Sequence, residues 1–167
     1  MPVEPQAYIA RTADTLMIRA GGCCTAVLCA RLKKLLESSC RPQTALIGFD
    51  LAGVEMIDST FAGMLLATAL RKGEDAPEVC LVAPSEGVLG TLDNMHVRQL
   101  FAIRPEPPVQ VRYWEELSAE RPNPRDVART VIDAHEHLIA ADDRNEATFA
   151  RVLEGMRASL NEDGIEG

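Results

Sequence analysis

A chain of 167 residues with 47% hydrophobic and 25% charged side chains has the composition of one globular domain plus an appendage, which excludes wholesale disorder. Its 25 acidic against 17 basic residues, a net charge of −8, would repel a polyanion on average, so nucleic acid is excluded as the expected partner. The excess is uneven: residues 1–113 hold 12 acidic and 11 basic side chains, whereas residues 114–167 hold 13 and 6.

The longest clean apolar run, Phe61 to Leu70, is about half of what a bilayer span needs, so no insertion into a membrane is expected. The N-terminus, Met1-Pro2-Val3-Glu4-Pro5, lacks the basic-then-apolar pattern of a signal peptide. Cys23, Cys24, Cys29, Cys40 and Cys80 are odd in number, and no pair has a two-residue spacer. That pattern fits free thiols in a reducing cytoplasm better than a disulfide framework or a zinc site.

In chain order, 7–10 and 15–19 read as two short strands, and Gly21-Gly22 reads as a break. From Cys24 the apolar positions Cys24, Leu28, Leu32, Leu35 and Leu36 recur at helical spacing, and Arg41-Pro42 ends the helix. The run 45–49 predicts a strand covered on both faces, followed by a short loop. A second helix is expected over about 60–72, a buried strand over 79–83, a helix around Val88, Leu89 and Leu92, and a last edge strand over 109–111. Helices alternating with buried strands predict an α/β domain with a mixed sheet of about five strands.

Residues 1–113 form the predicted domain, with 114–123 a Pro-bracketed linker. Asn123-Pro124 is a good helix start, with Asn as cap and Pro at the first helical position. Val127, Val131, Ala134, Leu138 and Ile139 form one apolar stripe, and Phe149, Val152, Leu153, Met156 and Leu160 a second. Residues 124–160 therefore read as a helical hairpin, and 161–167 as a disordered tail. An isolated two-helix unit is marginal, so the stripes need a surface. Pairing with a second copy is the first expectation, and docking on the α/β domain the alternative.

Little in the chain points to catalysis. His135 and His137 lie two apart on a helix, about 200° around the axis, and cannot share an ion. A solvated helix face is the expectation for both. No phosphate-cradling loop and no nucleophile elbow is present, so the chain is read as a non-enzyme with no metal and no cofactor.

The informative segment runs Phe49-Asp50-Leu51-Ala52-Gly53-Val54-Glu55-Met56-Ile57-Asp58-Ser59-Thr60-Phe61-Ala62-Gly63-Met64-Leu65-Leu66. Asp58 or Ser59 caps the coming helix, which alone stabilises it by about 1 kcal/mol. Ser59 also has a hydroxyl at a helix N-terminus, where backbone N–H groups and the helix dipole tolerate a phosphate.

This stretch resembles the signature of the STAS domain, the fold of anti-sigma factor antagonists: Asp-Leu-Ser-Gly-Val-x-x-Ile-Asp-Ser-Ser-Gly-Leu-Gly before a Leu-rich helix. Asp50, Leu51, Gly53, Val54, Ile57, Asp58, Ser59, Gly63 and Leu65 match it, and the resemblance extends over about residues 5–113. It implies a STAS fold and a regulatory binding protein in the cytoplasm. The partners it implies are an anti-sigma factor that is also a serine kinase, and a phosphatase. Ser59 would be the phosphorylated residue and Thr60 a second acceptor, with Asp50, Asp58, Ser59, Thr60, Phe61 and Gly63 binding the partner. Thr60 and Phe61-Ala62 depart from the pattern. Phe61 would either block and reshape the partner's approach or face the core. The alternatives are a non-phosphorylated STAS subunit of a membrane transport complex, or a stressosome-type scaffold.

Overall fold

The computed structural model describes residues 5–118 and 120–163. Two strands open the chain, β1 (Gln6–Arg11) and β2 (Thr15–Cys24), followed by helix α1 (Ala26–Ser39). Strand β3 (Leu46–Ile57), helix α2 (Ser59–Ala69), strand β4 (Glu78–Val82) and helix α3 (Glu86–Asn94) alternate next. A 3-10 turn (Arg98–Leu100), short strands β5 (Ala102–Arg104) and β6 (Glu115–Glu116), and helices α4 (Pro124–Ala141) and α5 (Arg144–Asp163) complete it.

The strands form one mixed sheet in the order β5-β4-β3-β2-β1-β6. β2, β3, β4 and β5 are parallel neighbours, as the intervening helices require, whereas β1 is antiparallel to both β2 and β6. Alternation along β2 and β3 sends Leu16, Ile18, Ile47, Phe49 and Leu51 into the core beneath the helices. Met17, Cys80 and Val82 face the other way, where Val109, Val111 and Trp114 pack on them.

Several boundaries differ from the sequence expectation. Gly21-Gly22 does not break β2 but lies in it, between two register shifts against β3, with Gly22 at φ 74°. The extra residues at both shifts lie on β3, between Asp50 and Gly53 and between Val54 and Met56, so β3 carries the irregularity and the left-handed Gly22 lets β2 bend with it rather than end. β3 likewise runs on through the expected loop. Beyond Asp50 it leaves β4 and pairs only with β2, as Gly21–Gly53, Gly22–Val54, Cys23–Met56 and Cys24–Ile57. Residues 109–111 form no strand. The edge strand on that side is β5, and 105–111 crosses the sheet's far face instead.

The expected linker is also partly sheet. Glu115 and Glu116 pair with β1, Leu117 N–H donates to the Ala7 carbonyl (2.8 Å), and the guanidinium of Arg31 donates to the carbonyls of Leu117 and Ser118. Helix α5 continues through Asp163, past the expected fraying point. Residues 164–167 of the expected tail lie outside the described residues.

The hairpin docks on its own domain. α4 lies across α1 and α2, with Val131, Ala134 and Leu138 buried, and α5 packs behind it through Phe149 and Leu153. Helix α2 explains why. Its sequence, STFAGMLLATA, is apolar nearly all round, and a helix of that kind must be covered on both sides. The sheet covers one side and α4 the other. The α4 stripe, one of the two for which pairing with a second copy was the first expectation, is covered within the chain, whereas Val152 of the α5 stripe is 40% exposed.

Candidate functional site

The site forms where β3 ends and α2 begins. Asp58 is extended (φ −95°, ψ 178°), and its side chain caps α2 by accepting from Phe61 N–H (2.8 Å through Oδ1). Its other oxygen, Oδ2, accepts from Ala26 N–H (3.1 Å) at the start of α1. One carboxylate therefore satisfies orphan donors at two helix N-termini, which neither a serine nor an asparagine could do with two acceptor oxygens. Burial raises the Asp58 pKa above its ordinary value, while the two backbone hydrogen bonds and the neighbouring His135 pull it back.

Ser59 is the first residue of α2 and is half-buried. Its hydroxyl is not turned to solvent: Oγ lies 2.9 Å from Nε2 of His135 on α4. His135 Nδ1 lies 2.6 Å from the Val131 carbonyl, which can only accept. Nδ1 therefore carries a hydrogen, and Nε2 faces the Ser59 hydroxyl. The imidazole is only 2% exposed, and it meets Phe149 edge-on with ring centroids 4.9 Å apart.

This corrects the expectation that His135 sits on a solvated face. Helix geometry does separate it from His137, which stays half-buried, with Nδ1 2.8 Å from the Asp133 carbonyl and 3.7 Å from its carboxylate. But it is His135 that points inward. The stripe carried the signal: His135 is four residues after Val131 and three before Leu138, on the face that the apolar residues already mark. Asn145, near the start of α5, carries no apolar pattern that would have marked it as buried. It is 2% exposed, and its amide donates to the carbonyls of Leu138 and Met95 (both 2.8 Å), tying the hairpin to the end of α3.

The other signature residues fall in different places. Thr60 and Phe61 are buried, Phe61 completely. Phe61 packs in the core cluster beneath the helices. Gly63 is buried under Ala134 of α4. Asp50 points to the opposite face of the sheet from Ser59. It accepts from Arg19 Nε (2.9 Å) and Ala52 N–H (3.1 Å), and Arg19 stacks over Trp114 with 4.2 Å between guanidinium carbon and ring centre. The structure thus brings together Asp58, Ser59, Gly63 and His135, and leaves Asp50 apart.

A serine bonded to a histidine has the outline of a nucleophile–base pair, which needs space for a substrate beside the hydroxyl. The cleft between α1, α2 and α4 is lined by Lys33, Met64, Thr68, Arg71 and His137, and includes neither Ser59 nor His135. The pair forms a hydrogen bond between the domain and its hairpin. Among the described residues no group of three His, Cys, Asp or Glu side chains is placed to hold a metal ion. No helix among them is long and apolar enough to cross a membrane.

No curated protein matches the chain. A solved structure described as the anti-sigma factor antagonist SpoIIAA in its unphosphorylated form is similar over 60% of this chain and 89% of its own, at 17% identity and a TM-score of 0.48. The family model described as the STAS domain matches residues 6–108, from β1 to just past β5 and including the whole Asp50–Gly63 signature. The chain belongs to the STAS domain family.

Proposed function

We propose that this protein is a cytoplasmic regulatory binding protein of the anti-sigma factor antagonist type. Its interaction with an anti-sigma factor that is also a serine kinase is switched by phosphorylation at Ser59 and reset by a phosphatase. The chain itself catalyses nothing in this reading. The observation that carries it is the position of Ser59: a serine hydroxyl at the first position of an eleven-residue helix, directly after the capping Asp58, inside the signature of a regulatory binding family. A phosphate there is favoured by the helix dipole and adds about −1.5 to −2 charge at pH 7, enough to repel an acidic partner surface. Val27 and Met56, each about half exposed, flank the junction and offer an apolar contact beside it. Asp58 shapes that surface directly, whereas Thr60, Phe61 and Gly63 support it from beneath and Asp50 from the far face. The five free cysteines agree with a reducing compartment.

A second reading, a STAS subunit of a transport complex or scaffold that is never phosphorylated, is favoured by one observation: the Ser59 hydroxyl is already bonded to His135. The test is to identify the co-purifying partner by mass spectrometry. Full-length wild type, Ser59→Ala and Thr60→Ala are then incubated with that partner and radiolabelled ATP. Label lost only in Ser59→Ala supports the switch. Ser59→Ala labelled as well as wild type ends it, and transporter subunits with no label anywhere establish the second reading.

A further inference from the structure

We propose that the α4–α5 hairpin is a displaceable cover over Ser59. In this view α4 is the resident occupant of a helix-binding groove formed by α1 and α2, and a partner that reads Ser59 must first lift it.

Four observations carry this. The family's matched region ends at residue 108, so the α1–α2 face that α4 covers is the outer face of the STAS domain itself. Helix α2 is apolar on that face, and the covering surface of α4 is Val131, Ala134 and Leu138. The groove is thus built for an apolar helix with a small residue at the crossing. The crossing is close: a Cβ on Gly63 would meet the Ala134 carbonyl oxygen at 2.3 Å. Finally, the polar hold is thin. Among the described residues the polar contacts between hairpin and domain are Ser59–His135, Asn145–Met95 and the surface pair Lys34–Asp126 at 3.4 Å, and open clefts run beside α4 along α1.

The consequence is a gate. In the closed state the Ser59 hydroxyl is committed to Nε2 of a buried imidazole, and only molecules with the hairpin lifted offer it to another protein. The apparent rate of any reaction at Ser59 then falls by the open fraction. The biological meaning rests on the reading of Ser59 as the switch, but the cover itself can be tested with no kinase present.

The test uses the full-length chain. Ser59→Cys is labelled with iodoacetamide, and the peptide containing position 59 is followed by mass spectrometry, with Cys23 as internal reference. Two companions carry the same change plus Ala134→Leu, which wedges the crossing, or Phe149→Ala, which removes the ring behind His135. Labelling at 59 should rise at least about tenfold in both while Cys23 is unchanged; equal rates in all three overturn the proposal. Native-state hydrogen exchange on the unaltered chain guards against a variant that unfolds. Amides of α4 and the first turn of α2 should exchange at least about tenfold faster than those of central β3. If α4 exchanges only with β3, in global unfolding, the hairpin is not displaceable and the proposal fails. Because neither readout involves phosphate, a kinase that ignores Ser59 leaves the cover standing, and Ser59 labelled by a kinase on a chain whose hairpin never lifts ends the cover without ending the switch.

Discussion

Gly63 and Ala134 are packed backbone against backbone: a Cβ on Gly63 would come within 2.3 Å of the Ala134 carbonyl oxygen and 2.7 Å of its Cβ. Helix propensity alone would make Gly63→Ala stabilising by up to about 1 kcal/mol. The obstacle is backbone, which no rotamer change relieves, and overpacking of this kind costs about 1–3 kcal/mol. The clash should win, with Gly63→Ala less stable than wild type by about 1–2 kcal/mol in urea unfolding. A more stable variant would show that α2 and α4 do not cross this closely.

Replacements at His135 separate packing from hydrogen bonding. His135→Ala leaves a cavity beside Phe149 and should cost about 2–4 kcal/mol. His135→Phe keeps most of the volume and the ring contact but leaves the half-buried Ser59 hydroxyl without its partner, so about 1–2 kcal/mol is expected. Thermal unfolding should rank wild type above His135→Phe above His135→Ala. The two variants melting together would mean that the ring is not buried as described.

Asp58 sets a pH dependence whose sign follows from its raised pKa. In the window between the ordinary carboxylate value of 3.8 and the higher folded value, the folded state holds more protons than the unfolded one, so stability falls as pH rises. The Asp58 contribution is therefore greatest below about 3.8 and is lost as pH rises through the folded pKa. Against Asp58→Asn, which does not titrate, the stability difference should move in favour of wild type on acidification and level off near 3.8. A shift in the opposite direction between pH 7 and pH 3 would refute the burial of this carboxylate.

Arg19 and Asp50 form a pair with a buried acid: the Asp50 side chain is 7% exposed against 44% for Arg19. Arg19→Met keeps the stem over Trp114 but leaves the carboxylate with only the Ala52 N–H, which should cost about 1–3 kcal/mol. Adding Asp50→Asn removes the orphaned charge, so the double variant should be less destabilised than the sum of the two single ones. Strict additivity would mean that the pair contributes nothing.

The thiols divide by burial. Burial pushes Cys24 up to about 12 and Cys29 higher still, with the Asp58 charge adding to both, and Cys80 is also raised. In the folded chain at pH 8, iodoacetamide should modify the half-buried Cys23 and Cys40 first, and reach the other three only when denaturant is added. Early labelling of Cys29 would place it outside the core.

The sequence was most legible where a pattern has one physical reading. The alternation of helices and apolar runs located the α/β domain, the Asn123-Pro124 start located α4, and the Asp50–Gly63 signature located the family. It was less legible where one residue type serves two purposes. Gly21-Gly22 reads as a chain break, yet in the paired ribbon, with Gly53 opposite Gly21, the glycines permit close strand approach through the register shifts. Glu115-Glu116 has no apolar pattern at all, and its pairing with β1 follows from where 105–114 crosses the sheet. His135 was legible in principle, since it falls on the stripe, but pairing it with His137 in a metal argument drew attention to the wrong geometry.

The anchoring of the segment before α4 has a quantitative consequence. β6 is zipped to β1 and Leu117 is bonded to Ala7, so α4 starts only a few residues from a fixed point on the sheet edge. A helix tethered so closely competes for the α1–α2 groove at an effective concentration of about millimolar. A free helix of equal intrinsic affinity, present at about micromolar, is outnumbered by about a thousandfold, or about 4 kcal/mol. A partner that imitates α4 therefore does not displace it by resemblance alone. It must make up that difference with contacts α4 lacks, and exposed Val27 and Met56, beside Ser59 and outside the hairpin, are surfaces on which to make them.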